Sequence, residues 1–136
     1  MGNIPDNSLD PRKEIGDLGE RIAANYFKAR GCEILEMNFE NKRGYRVGEL
    51  DLVARDLKTE ELIFAEVKTR QKGTSNSSAP EMAINRAKYR KLSKIISNYL
   101  RKKNLLDCDY RLDAIAIELD MNTRKASLKH LKCIYY

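Results

Sequence analysis

Leu62-Ile63-Phe64-Ala65-Glu66-Val67-Lys68 is the stretch on which the fold turns. It is largely apolar and lacks Gly and Pro, and so reads as a β-strand. Residues two apart in a strand point to the same face. Glu66 and Lys68 therefore share a face with Leu62 and Phe64, and Ile63, Ala65 and Val67 fill the other. Upstream, Gly48-Glu49-Leu50-Asp51-Leu52-Val53-Ala54 repeats the pattern: Glu49 and Asp51 fall on one face, and Leu50, Leu52 and Ala54 on the opposite one. Ionised groups on strands that are otherwise apolar are costly unless they pair or bind something. Cross-strand ion pairs, or an edge strand that tolerates charge, give one explanation. The other is chemical. Two acids beside a lysine are the smallest set that can hold a divalent cation and polarise a water, which points to metal-assisted phosphodiester hydrolysis.

Working outward, the other elements order themselves around these two strands. Residues 1–13 are polar, contain Pro5 and Pro11, and read as a flexible arm before a single domain over 14–136. Ile15, Leu18, Ile22, Ala23, Tyr26 and Phe27 recur at helical spacing over 14–30, and Gly31 supplies the stop. Residues 33–39 form a short strand candidate, and Asn41-Lys42-Arg43-Gly44 a basic turn. Strands are expected over 46–55 and 61–69, then a Ser- and Gly-rich loop over 71–80. A helix follows over 80–103, with Pro80 favoured at its start, and strands over 110–119 and 126–134 close the chain. The order predicts a mixed α/β sheet flanked by helices.

Composition limits what this domain can be. The chain has 136 residues, enough for one modest core, with 42% hydrophobic and 34% charged residues. No apolar run approaches the ~18–20 residues that span a bilayer. The N-terminal stretch lacks the order of a signal peptide, so a cytoplasmic location is expected. Cys32, Cys108 and Cys133 have no metal-ligand spacing and read as reduced thiols. His130 is the only histidine, which excludes multi-histidine zinc sites; alone in a C-terminal strand it reads as a surface or packing residue. The net charge of +6 favours a polyanionic partner. Much of it is localised, because 86–103 contains eight Lys or Arg and no acid.

Within that second helix, Ile84, Leu92, Ile95, Ile96 and Tyr99 define an apolar face at about 100° per residue. Lys88 falls near its centre, where a lysine must snorkel, pair with an acid or face a site at the N-terminal end of the helix. Arg86, Arg90, Lys94 and Arg101 line an outer stripe that is either a solvated face or a track for a phosphate backbone. Glu20, on the first helix, flanks the apolar face beside Phe27, and periodicity alone reads it as a boundary glutamate.

In combination these strings resemble the PD-(D/E)XK nuclease superfamily, and more closely its YraN-like bacterial family, related to archaeal Holliday junction resolvases. The matching residues are Gly16-Asp17-Leu18-Gly19-Glu20-Arg21-Ile22-Ala23, Asn38, the strand containing Glu49 and Asp51, Phe64-Ala65-Glu66-Val67-Lys68-Thr69-Arg70, Lys88, and Arg111-Leu112-Asp113. Leu50 stands where the motif's name has proline, and 41–46 lengthen the turn before Gly48. The resemblance implies a restriction-endonuclease-like αβββαβ core. It implies that Asp51 and Glu66, helped by the Val67 carbonyl, bind Mg2+ or Mn2+, since hard cations take oxygen ligands. Lys68 would orient the attacking water and stabilise charge on the phosphate. Glu20 would position the water or a second ion, Lys88 would face the site, and Glu49 would be a ligand or an outer acid. Arg111 and Asp113 read as a structural ion pair.

Two nucleic-acid functions compete, and a structural or adaptor protein whose charges only form ion pairs is the third alternative. One is a Mg2+-dependent endonuclease acting on DNA, branched or damaged, with Glu20, Asp51, Glu66, Lys68 and Lys88 as its catalytic set. The other is a nucleic-acid-binding module without catalysis on the same scaffold. In either case Lys42, Arg43, Arg70, Arg86, Arg90 and Lys94 are the expected contacts to nucleic acid. Analogy with nucleases that cut both strands of a symmetric junction admits a homodimer.

Overall fold

A computed structural model describes residues 11–40, 48–73 and 84–135. Its elements are α1 (Pro11–Ala29), β1 (Cys32–Glu40), β2 (Glu49–Asp56), β3 (Leu62–Gln71), α2 (Arg86–Lys102), β4 (Tyr110–Asp120) and β5 (Lys125–Leu131). The five strands form one sheet in the order β1-β2-β3-β4-β5. Neighbours run antiparallel except β3 and β4, which are parallel and joined by the crossover through α2. This is the mixed α/β architecture expected of a restriction-endonuclease-like core.

Each face of the sheet carries one helix. Under α1, Ala23 and Phe27 pack with Leu52, Ala54, Ile63 and Ile115. Under α2, Leu92, Ile95 and Tyr99 pack with Val53, Phe64 and Leu112. Among the described residues no helix is long and apolar enough to cross a membrane.

Both helix starts differ from the sequence reading, for local reasons. α1 begins at Pro11 rather than at 14, so 11–13 belong to the helix and not to an arm. Proline suits that first position because the helix leaves its N–H unpaired there anyway. Residues 1–10 lie outside the described residues. α2 begins at Arg86, not at 80. Asn85 caps it, its side-chain oxygen accepting from the Lys88 N–H at 2.8 Å. Ile84, counted on the helix's apolar face, is buried but precedes the helix. The turn at 41–44 and most of the loop expected over 71–80 lie outside the described residues, although Gln71 completes β3.

A second difference matters more for function. Leu50 was expected beside Leu52 and Ala54. Instead it packs under α2, while Leu52 and Ala54 pack under α1. On β1, Phe39 and Met37 divide in the same way. Between them lies Asn38 at φ 54°, a left-handed conformation that asparagine tolerates better than most residues. Both strands therefore change face around Asn38 and Asp51. The β2–β3 pairing also stops there, running only from Arg55↔Leu62 to Leu52↔Ala65. Beyond that pair the central strands part.

Candidate functional site

The parting of β2 from β3 removes the strand partner that the Val67 N–H would otherwise have. The Asp51 carboxylate replaces it, Oδ2 accepting from Val67 N at 2.9 Å. This bond holds a nearly buried acid, 8% exposed, in the fork between the strands. Carboxylate oxygens of Glu20, Glu49 and Asp51 lie within 4.8 Å of one another there. Glu66 borders the cluster from β3, and its Oε1 meets Lys88 Nζ from α2 at 2.6 Å. Thus α1 delivers one acid to the fork, the sheet three, and α2 a cation.

The electrostatics follow from this crowding. Burial pushes the Asp51 carboxyl up to about 8, and the negative charge of Glu66 adds to it. The Val67 N–H opposes that rise, while Glu20 reinforces it. The Glu20 carboxyl is also raised, again first by burial; a hydrogen bond with the Asn38 side chain pulls the other way, and Glu49, Asp17 and Glu66 push upward. Asn38 therefore does two things: its backbone turns β1, and its amide steadies Glu20. Lys68 is exposed two residues beyond Glu66, and among the described residues it forms no ion pair.

Gly19 explains how Glu20 reaches the fork. A Cβ at this position would lie 1.7 Å from Thr69 Oγ1 and 2.8 Å from Thr69 Cβ. Rotating the threonine cannot clear its own Cβ, so only glycine lets α1 approach β3 this closely. On the far side of the fork, Gly48 leads into β2 at φ 109°, which an L side chain rarely adopts.

A second buried acid has a very different setting. Asp113 on β4 is fully buried. Arg111 Nε donates to both its oxygens, at 3.0 and 3.1 Å. His130 Nε2 lies 2.7 Å from Oδ2, and the Cys133 N–H donates to Oδ1 at 3.0 Å. Arg111 Nη1 also donates to Glu61 Oε1 at 2.9 Å, and Tyr26 OH lies 2.9 Å from His130 Nδ1. Burial alone would raise the Asp113 carboxyl, but His130, Cys133 and Arg111 together hold it below the usual carboxylate range. The sequence-derived ion pair between Arg111 and Asp113 is present, as part of a larger network that brings in His130. His130 packs edge-on to the Tyr26 and Phe27 rings.

The basic residues divide. Arg70 is engaged by Glu118, its Nη2 2.9 Å from Oε2, across the β3–β4 rung where the two residues face each other. Arg86, Arg90 and Lys94 are exposed on α2. Lys42 and Arg43 lie outside the described residues. The described cysteines are free: Cys32 is buried, Cys108 half-buried and Cys133 exposed.

A five-stranded mixed sheet, one helix on each face and a carboxylate cluster where its central strands part define an α/β protein consistent with the nuclease superfamily. The chain belongs to the Uncharacterised protein family UPF0102, the YraN-like family, whose profile matches residues 19–117. It is similar to the UPF0102 protein of Geotalea uraniireducens (strain Rf4), 38% identical over 120 residues covering 88% of this chain and 87% of the relative. It is 36% identical to the UPF0102 protein TTE1452 of Caldanaerobacter subterraneus subsp. tengcongensis over 123 residues, 90% of this chain and 93% of the relative. Among solved structures, Pyrococcus furiosus SfsA in complex with Ca2+ aligns with a TM-score of 0.37 and 11% identity, over 89% of this chain and 63% of that one. A likeness that slight has no bearing on the site.

Proposed function

We propose that this protein is a divalent-cation-dependent endonuclease that hydrolyses phosphodiester bonds in DNA, with branched or damaged DNA as its substrate class. The observation that carries this reading is the convergence of Glu20, Glu49 and Asp51 in the fork, with the Glu66–Lys88 pair at its edge. The donor set fits a hard cation: it is all oxygen, with no histidine or thiol in it. The fit is also electrostatic. Burial, and then the charge of Glu66, raise the Asp51 carboxyl more than its one N–H donor lowers it, and a bound cation would favour the ionised form.

Asp51 and Glu66, with Glu20 and Glu49 beside them, would hold Mg2+ or Mn2+. When bound, the cation supplies Lewis-acid polarisation of a phosphodiester oxygen. Lys68, on the same face of β3 as Glu66, orients the attacking water and offsets charge that builds on the phosphate. Glu20, steadied by Asn38, positions that water. Lys88 pairs with Glu66 and holds its carboxylate at the edge of the fork.

Cleavage of supercoiled and four-way-junction DNA with Mg2+ or Mn2+ tests the reading. Asp51→Asn and Lys68→Ala should each lose on the order of 10²-fold or more in rate, the cost typical of removing one preorganised charge contact. Both variants should retain the parent's circular dichroism. Variants that cut as fast as the parent would remove these residues from the mechanism. Melting with and without Mn2+ gives a readout independent of cleavage, since stabilisation by Mn2+ should vanish in Asp51→Asn.

A further inference from the structure

Lys91 on α2 reaches the rim of the fork without taking part in its ion pair. It follows Lys88 by three residues, which sets the two side chains ~60° apart around the axis and about one turn apart along it. Its stem runs over the entry to β2, where Lys91 Cε and Ile95 Cδ1 each lie 3.5 Å from the place a Cβ on Gly48 would take. Gly48 directly precedes Glu49 of the carboxylate cluster. The Lys91 stem therefore lies close against the rim, while the residue as a whole stays exposed, as Glu49 does. The simplest use of a lysine there is an ion pair with an acid of the rim. Among the described residues Lys91 forms none, whereas Lys88 is held by Glu66 and Lys103 by Glu36.

The charge of the fork gives that ammonium a use. When Glu20, Glu49, Asp51 and Glu66 are all ionised, Lys88 and one divalent cation together do not balance them. The fork stays negative, and a phosphodiester bears charge of the same sign. A further cation at the rim turns that repulsion into attraction where the strand enters. Lys68 is engaged with the reacting phosphate. Lys91 is offset from Lys88 by ~5–6 Å, against ~3.4 Å of axis per phosphate on one DNA strand. We propose that Lys91 is a substrate-binding residue whose ammonium holds a backbone phosphate one or two nucleotides from the scissile bond. Such a contact positions DNA and does not read its sequence. The role deepens the nuclease reading and rests on it for the location of the cut.

Lys91→Met tests this role, because methionine keeps an unbranched stem against Gly48 and loses the charge. Binding of a short DNA duplex is read by fluorescence anisotropy across a salt series, in EDTA, which prevents cleavage. In Lys91→Met the slope of log K against log salt should flatten by ~0.9, the loss of one phosphate contact, and affinity at low salt should fall ~3- to 10-fold. Lys91→Arg should restore both. In cleavage with Mg2+, KM should rise by a similar factor while kcat moves less than about twofold, the mark of binding shared by ground and transition states. A neutral methylphosphonate placed in turn at the phosphates flanking the mapped cut should, at one position, weaken the parent and leave Lys91→Met unaffected. An unchanged salt slope, or equal sensitivity of parent and variant at every methylphosphonate position, overturns the role. A fall in kcat with binding intact overturns it too. Mn2+ stabilisation reads the fork separately and should be the same in Lys91→Met as in the parent; its loss in the variant would make Lys91 a support of the fork instead. Metal-dependent cleavage with an unchanged slope defeats the role of Lys91 alone. A flattened slope in a protein that Mn2+ does not stabilise defeats the nuclease reading and leaves a phosphate contact on a binding module.

Discussion

Asp51 and Asp113 are the two charged residues buried among those described, and they are buried to opposite effect. Asp113 receives donors from Arg111, His130 and the Cys133 backbone, and its carboxyl is held low. Asp51 receives one backbone N–H, faces three other acids, and its carboxyl is pushed up to about 8. Both lie on the central strands of one sheet, so depth alone does not separate them. The number of donors does. An acid whose lone pairs the protein satisfies serves the fold, whereas one left short of partners amid like charge is where a protein recruits something else.

The sharpest way to break this comparison is to remove the satisfied acid. Asp113→Ala strands Arg111 and His130 beside a hole and should cost ~3–5 kcal/mol in urea unfolding, as removing one partner of a buried ion pair does. A loss below about 1 kcal/mol would mean that the network does not hold β4, β5 and α1 together.

The two acids should also pull stability in opposite directions with pH. The folded pKa of Asp51, about 8, exceeds the ~3.9 of an unfolded aspartate. Between those values the folded chain keeps a proton that the unfolded chain has released, so stability falls as pH rises from about 4 to 8, by a few kcal/mol at most. The folded pKa of Asp113 is lowered, so its contribution is present above about 4 and is lost as acid protonates it. Melting curves across pH should bend down on both sides. Asp51→Asn should flatten the alkaline limb alone. An unchanged alkaline limb would assign it to another group.

Mn2+ sharpens the contrast. It competes with the proton on Asp51, so at pH 8 and a hundredfold excess over its Kd it should add ~2.7 kcal/mol. The gain should shrink toward pH 5. Stabilisation that ignores pH, or survives Asp51→Asn, would place the ion elsewhere.

The smallest effect should come from Gly19→Ala, which overpacks α1 against Thr69 at a cost of ~1–3 kcal/mol. The clash lies one residue from Glu20 and two turns from Tyr26. It should therefore weaken the Mn2+ response while leaving the Asp113 network in place, and Thr69→Gly in the same chain should restore both stability and response. Loss without rescue would mean that the close approach is not what seats Glu20.

The element order and the pairing of acids on β2 and β3 were legible in the sequence because period-two and helical patterns are local. Pairing with an acid was one of the three readings open to Lys88 on α2, and Glu66 is that acid. What the pattern could not carry depends on a single backbone turn or a distant partner. The change of face at Asn38 and Asp51 hangs on one positive φ, and a strict alternation hides it. The start of α2 depends on Asn85 capping its first turn, whereas Pro80 upstream offered an equally good signal. Glu20 looked like a boundary residue, since only the contact of Gly19 with Thr69 carries it into the fork. His130 looked peripheral, since its partners Asp113 and Tyr26 lie 17 and 104 residues away.

The lone parallel rung, β3 beside β4, bears on how the chain is born. Glu20, Glu49, Asp51 and Glu66 all precede the crossover, so every acid of the fork is synthesised before β4 exists. Until β4 arrives, 48 residues downstream at Leu62↔Tyr110, β3 is an open edge with unpaired amides. The alternating Glu66, Lys68 and Arg70 put charge along half of that edge, which discourages a neighbouring nascent chain from docking there. The residues that equip the fork also guard the strand that waits longest for its partner.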